Sequence, residues 1–308
     1  MKVLIVGSGG VGGFFGAMLH RGGHDVLFMA RGEHLEAIKS IVPGNFTIEK
    51  PNATDRPDGS WKADLALFCV KSYSNEEAIK IMRPAIGPDT SIMTLQNGIG
   101  SGDALAAAFG PEAVLLGATY IDAARPEPGL VAVGRHTQRI VFGEDDLSRS
   151  DRAVRVYEEL KKAELDVYLS DNVHIDLWKK LIYICCLSGM WCITRAESFT
   201  QVLENERTRD LALRVMREAA AVAAVRHVPL EASVPDDTLA YFDKNSSDVT
   251  SSMFFDLKHG RPIEVGVLNG AVSRLGELAG VPTPVNDFIT WALSIHDANA
   301  RAAQKTTP

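Results

Sequence analysis

Three observations along the chain predict an α/β fold class, with a doubly wound parallel sheet in the N-terminal half and an all-helical C-terminal half. Residues up to about 170 alternate strand-like with helix-like stretches, whereas from Asp171 onward long helical patterns take over. The third observation is that the first apolar run passes straight into a glycine-rich turn and then into a helix.

That run is Val3-Leu4-Ile5-Val6, followed by Gly7-Ser8-Gly9-Gly10-Val11-Gly12-Gly13 and a helical stretch from Phe14 to His20. Strand, glycine turn and helix in this order form the phosphate-binding unit of a Rossmann-type domain. Gly7 permits the tight turn, Gly9 lets the backbone approach a pyrophosphate, and Gly12 lets the helix pack close to the strand. The candidate cofactor loop is therefore Gly7, Ser8, Gly9, Gly10, Val11 and Gly12. A second strand-like run, Asp25 to Ala30, ends at Arg31, where an NAD site carries an acidic residue for the ribose hydroxyl. A guanidinium there reads as a partner for a 2′-phosphate, and so as NADP(H). The same opening has the outline of a signal peptide, but five glycines between Gly7 and Gly13 weaken an apolar helix and no small-residue cleavage site follows.

At 308 residues the chain exceeds the size at which one core stops growing, and its 46% hydrophobic content supplies two. The boundary is placed near Ser170 to Val173, giving a dinucleotide-binding domain over 1–170 and a helical substrate and dimerisation domain over 171–308. A net charge of -7 argues against a nucleic-acid partner, so positive charge for an anionic ligand must be local. No uninterrupted apolar span reaches about 18 residues, which predicts no membrane segment. Cys69, Cys185, Cys186 and Cys192 have no CxxC spacing and lie in apolar surroundings, as reduced thiols of a cytoplasmic protein do, and offer no metal site. The only low-complexity stretch is the polar tail Gln304 to Pro308.

Further strands are predicted at Leu65 to Val70, Ser91 to Leu95 and Val114 to Ala118, near-continuously apolar as strands buried on both faces are. Gly129 to Val133 and Gln138 to Phe142 read as a later antiparallel pair. Ligands of such a sheet bind at the carboxyl ends of its strands. Two polar residues stand there: Lys71 after Val70, and Asn97 after Gln96 and before Gly98-Ile99-Gly100. Taken singly, each also fits an ordinary loop lysine and an ordinary Asn-Gly turn.

Helices are expected over Asp171 to Arg195, Glu204 to His227, Ser252 to His259, Ile263 to Ala279 and Val285 to Ala298. Their long apolar faces suggest a homodimer, and an interface between two domains is a favoured place for a ligand. In the first helix Lys179-Lys180 interrupts an apolar pattern. Adjacent lysines cannot share one helix face. Either one points inward, where desolvation lowers its pKa and makes it a proton donor, or both snorkel along the surface.

The GxGGVG turn, Val70-Lys71, Gln96-Asn97-Gly98, Trp178-Lys179-Lys180-Leu181, Ser251-Ser252-Met253 and the Glu264 that follows together resemble the ketopantoate reductase (2-dehydropantoate 2-reductase) family, in order and over nearly the whole chain. The resemblance implies NADPH-dependent reduction of a 2-oxo acid to a 2-hydroxy acid, with 2-dehydropantoate as the implied substrate and pantothenate biosynthesis as the pathway. It implies Lys180 as proton donor, Asn97 and Lys71 lining the cofactor and substrate site, Ser252 on the substrate and Glu264 at the cofactor ribose. The residues also allow plainer readings, with Ser251 and Ser252 as helix caps and Glu264 as an acid favoured near a helix start.

The chain departs from the family one and two helical turns beyond the lysine, where asparagines bind the substrate and Ile184 and Ser188 stand here. A third asparagine is replaced by Val249. Ser188 stays a candidate substrate contact. Each loss removes a polar partner for a substrate hydroxyl or carboxylate. Two alternatives therefore remain open: a reductase for another 2-oxo acid, and a non-catalytic NADPH-binding sensor. Other dehydrogenases with a helical second domain, of the 3-hydroxyacyl-CoA or 6-phosphogluconate type, fit less well because their catalytic residues come in a different order.

Overall fold

The structure is a computed structural model that describes residues 1–38, 42–43, 48, 51–134 and 138–306. The last two residues of the polar tail lie outside the described set. The chain divides into two compact units, Met1–Gln96 with Gly100–Val173, and Asn97–Ile99 with His174–Pro308.

The first unit contains, in chain order, β1 (Lys2–Val6), α1 (Gly10–Arg21), β2 (Asp25–Met29), α2 (Gly32–Ile38), β3 (Val42–Pro43), β4 (Asn52–Thr54), β5 (Leu65–Phe68), α3 (Asn75–Met82), β6 (Ser91–Thr94), α4 (Ser101–Phe109), β7 (Val114–Tyr120), β8 (Ala123–Glu127), β9 (Leu130–Val133), β10 (Arg139–Gly143), α5 (Asp151–Lys162) and β11 (Asp166–Leu169). Eight strands form one sheet in the order β11-β10-β7-β6-β5-β1-β2-β4, parallel except where β10 meets β7. Both faces of this sheet are covered, as the continuous apolar strands require. Val3 and Ile5 enter one core with Phe15, Leu19 and Phe28, while Leu4 and Val6 enter another with Phe68, Met82 and Ile92.

The antiparallel pair expected from Gly129 to Val133 with Gln138 to Phe142 does not form. β9 pairs instead with β8, across a turn at Gly129 whose φ of 76° suits a tight reversal, and with β3 in a separate three-stranded sheet. β10 joins the main sheet between β7 and β11. Local turn chemistry won for β9, and burial of Ile140, Val141 and Phe142 in the large sheet won for β10.

The second unit is helical: α6 (Val173–Ile184), α7 (Met190–Thr194), α8 (Phe199–Glu204), α9 (Glu206–Val225), α10 (Val234–Asn245), α11 (Ser252–Lys258), α12 (Asn269–Ala279) and α13 (Pro284–Thr306). Its core is one cluster that includes Trp178, Leu181, Met190, Phe199, Phe242, Met253 and Val272. The single helix expected over Asp171 to Arg195 is interrupted by a π turn at Cys185–Gly189. The helix expected from Ile263 starts only at Asn269, after a one-turn 3-10 segment, Val265–Val267. Two helices, α8 and α10, were not anticipated, the first being a short piece and the second opening on Pro235 with acidic residues behind it. Among the described residues no helix is long and apolar enough to cross a membrane.

Candidate active site

In the first unit the glycine turn is shaped as its spacing demands. Gly7 adopts φ +93°, and a Cβ on Gly12 would stand 2.2 Å from the Gly7 carbonyl oxygen, so α1 packs on the turn only without a side chain there. Ser8 is buried, and its N–H and Oγ both donate to the Met29 carbonyl, at 3.3 and 2.9 Å. These bonds tie the turn to the end of β2. Gly9, the N-cap of α1, has no side-chain cap, and a Cβ built on it would meet nothing within 4 Å. An open approach to uncapped N–H groups at the positive end of a 12-residue helix fits the pyrophosphate of a dinucleotide. Gly10 and Val11 open α1 beside it.

Arg31 lies just past β2, exposed, with Nη1 2.5 Å from Glu77 Oε1. Both side chains are more than half exposed, and such a pair is worth at most about 1 kcal/mol, so it does not lock the guanidinium away from a phosphate. Lys71 follows β5 and caps the 3-10 turn Ser72–Ser74. Two residues beyond the expected set brace these loops. Gly129 N–H donates to His34 Nδ1 at 3.2 Å, so Nε2 carries the proton and donates to the Ser8 carbonyl at 2.6 Å. Burial holds the His34 pKa below its ordinary value, against the pull of that carbonyl. Buried Gln96 donates through Nε2 to the Val70 carbonyl at 2.7 Å and to Asn75 Oδ1 at 2.6 Å, joining the ends of β5 and β6. Nothing in the sequence around His34 marks it, and Gln96 enters the sequence reading only beside Asn97.

The second unit contains Asn97, Lys180, Ser188, Ser252 and Glu264, and among them the charge of Glu264 acts on Lys180. Of the two adjacent lysines, Lys179 is exposed while Lys180 is buried at 8% exposure, which decides between the two orientations the sequence left open. Burial brings the Lys180 pKa down to about 7, and the charge of Glu264, itself buried, works in the other direction. Glu264 precedes the 3-10 segment rather than the first turn of α12, so the dipole of a long helix does not account for its position. The Asn97–Ile99 segment joins this unit because Ile99 N–H donates to the Val267 carbonyl at 3.3 Å, a short step along the chain from Glu264. Ser188 is buried, and its Oγ accepts from Ser251 Oγ at 2.9 Å. Ser251 is the N-cap of α11, accepting from Phe254 N–H at 3.1 Å, whereas Ser252 begins the helix with an exposed side chain. Ile184 and Val249 present half-buried apolar groups at the edge of the core. A lysine that sits near neutrality beside a carboxylate can hand over and recover a proton at ordinary pH.

Known proteins resemble the chain over both of its halves. Residues 3–146 match the family model described as ketopantoate reductase PanE/ApbA, and residues 172–296 match that of its C-terminal part. A 2-dehydropantoate 2-reductase of Mesorhizobium japonicum is 29% identical over 94% of this chain and 95% of its own. Among solved structures, a PanE/ApbA family ketopantoate reductase from Ralstonia eutropha superposes with a TM-score of 0.88 at 29% identity, covering 98% of this chain and 100% of the other. D-mandelate dehydrogenase, solved with NADH and anilino(oxo)acetate, gives 0.88 at 25% identity, covering 98% and 99%. Matched over both halves, with a glycine-rich turn at the start of α1 in one unit and a buried lysine in the other, the chain belongs to the ketopantoate reductase family of oxidoreductases.

Proposed function

We propose that this protein reduces a 2-oxo acid to a 2-hydroxy acid with NADPH, 2-dehydropantoate being the substrate that the names of its relatives point to. The observation that carries the reading is Lys180, buried beside Glu264 with its pKa near 7. The Gly7 to Gly12 turn would hold the pyrophosphate at the α1 N-terminus and Arg31 would pair with the 2′-phosphate, and Lys71, Asn97 and Glu264 are the further residues assigned to the cofactor. The nicotinamide ring, when bound, supplies a hydride to the carbonyl carbon. Lys180 Nζ stabilises the negative charge that grows on the carbonyl oxygen and then donates its proton there, leaving a neutral amine that solvent reprotonates. Asn97, Ser188 and Ser252 complete the substrate side, and the lysine charge draws the acid's carboxylate despite the net charge of -7. The test is NADPH oxidation with a panel of 2-oxo acids, 2-dehydropantoate among them. Turnover of none would sink the reading.

A second reading, reduction of a different 2-oxo acid with an apolar substituent, is favoured by Ile184 and Val249 and by a Ser188 hydroxyl already engaged with Ser251. A site that offers no partner to a substrate hydroxyl loses its advantage for the hydroxylated acid. The same panel separates the two.

Cofactor choice follows Arg31 in this reading. NADPH is expected to bind more tightly than NADH, and Arg31→Ala to narrow the gap by roughly 1.5 to 3 kcal/mol, the range of a charge-assisted hydrogen bond. Fluorescence titration of both dinucleotides checks this, and an undiminished preference in the variant would remove Arg31 from the assignment. We also place the protein in the cytoplasm, where its four free cysteines stay reduced, as a homodimer. The dimer rests on exposed Phe288, Trp291 and Ile295, which follow one face of α13. A monomeric mass by light scattering at micromolar concentration would remove it.

A further inference from the structure

The π turn Cys185–Gly189 stands between Lys180 and the residues that follow it on the substrate side. Such turns are rare single-turn insertions within α-helices and are frequent at functional sites. Here the carbonyl of the turn's first residue, Cys185, accepts from Asn269 Nδ2 at 3.2 Å. Asn269 is fully buried, and the same Nδ2 donates to Asn286 Oδ1 at 2.9 Å. Asn286, also fully buried, donates through Nδ2 to the Val215 carbonyl at 3.2 Å and to Glu218 at 2.7 Å. Glu218 in turn accepts the backbone N–H groups of Val285 and Asn286. The chain of bonds fixes which way each amide points.

The last residue of the turn completes the arrangement. A Cβ on Gly189 would stand 2.7 Å from Asn269 Oδ1 and 2.9 Å from Nδ2, so the amide reaches the turn only because no side chain is there. Asn269 Oδ1 is left buried with no hydrogen-bond partner, a cost borne while Nδ2 holds the Cys185 carbonyl. Removing the inserted residue's extra rotation would swing everything beyond it by about 100° around the helix axis. Ser188, inside the turn, would leave Ser251 and with it the N-cap of α11.

We propose that Asn269, oriented by Asn286 and Glu218 and admitted by Gly189, is a positioning residue that keeps Cys185–Gly189 in its π form and thereby sets the phase of Ser188 and Ser251 relative to Lys180. The consequence for turnover rests on the oxo-acid reductase reading; the conformational claim does not. Two variants test it: Asn269→Ala, which removes the donor, and Gly189→Ala, which displaces the amide while removing no polar group. With the oxo acid that the unaltered protein reduces, each is expected to raise KM tenfold or more while the NADPH Kd stays within twofold. Crystal structures of the variants are expected to show Cys185–Gly189 as regular α-helix. Adding Ser188→Ala to Asn269→Ala should then change KM by less than twofold, because the hydroxyl has already lost its place. A folded variant that keeps the π turn, or keeps KM within twofold, overturns the proposal, as does full additivity with Ser188→Ala. Failure of both variants to fold also overturns it, since the amide would then serve the core and not the phase of the helix. Absence of any oxo-acid turnover by the unaltered protein would sink the functional reading alone, and the variant structures would still decide the turn.

Discussion

Replacing Lys180 with alanine is expected to lower the rate constant for oxo-acid reduction by roughly a hundredfold or more, the usual cost of losing a general acid, with NADPH affinity nearly unchanged. Lys180→Met, which keeps most of the buried volume, should show the same loss, so that a cavity cannot be its cause. Lys179→Ala is the control, because that side chain is exposed. The pH dependence has a definite sign. Reduction needs the ammonium form, so kcat/KM should fall as pH rises through about 7, and oxidation of the hydroxy acid, which needs the neutral amine, should rise over the same range. Stopped-flow measurement of NADPH oxidation with the oxo acid, and of NADP+ reduction with the hydroxy acid, across pH 5 to 9 gives both. Equal losses in the Lys179 and Lys180 variants, or undiminished turnover without Lys180, would remove the proton-donor role.

The second large effect is expected at Gly98. Its φ of +87° alone costs a side chain about 1–3 kcal/mol, and a Cβ there would stand 2.2 Å from the Val267 carbonyl oxygen, a backbone atom that cannot turn aside. Gly98→Ala must therefore push the Asn97–Ile99 segment off Val267 or unfold it. Gly100→Ala separates the two contributions, since Gly100 has φ +108° but open space around its missing Cβ. Gly98→Ala is expected to destabilise by clearly more than Gly100→Ala in urea unfolding and to lower kcat/KM at least tenfold by displacing Asn97. Equal unfolding midpoints for the two variants would show that the contact with Val267 carries no weight.

The glycine turn was legible in the sequence because its spacing is itself a backbone requirement: Gly7 and Gly12 are needed wherever this strand, turn and helix meet. The central strands were legible because burial on both faces leaves a continuous apolar run. The partner of β9 was not, since Leu130 to Val133 reads the same whether it pairs with β8 or β10, and the three-dimensional sheet decides. Periodicity brought out the lysine pair without saying which member turns inward, because apolar residues flank it on both sides of the helix. The π turn was hidden for a related reason. Cys185-Cys186-Leu187-Ser188-Gly189 fits an α pattern as well as a π one, and what selects the wider form is Asn269, far along the chain. Glu264 and Ser252 were picked out by resemblance alone, because nothing in their immediate neighbours marks them.

Lys180 also ties the folding equilibrium to proton concentration. In the unfolded chain it keeps its proton up to about 10.5, and in the folded chain it releases it near 7. Between these values the unfolded state binds more protons, so this side chain makes stability increase with pH across that window. Below about 7 the folded protein carries a buried charge, and at about 1.4 kcal/mol per pH unit the full penalty is roughly 5 kcal/mol. That is comparable to the whole stability of many domains. In the proposed reading the burial that poises Lys180 as a proton donor is the same burial that costs the fold stability, and that cost from this side chain is largest below about pH 7.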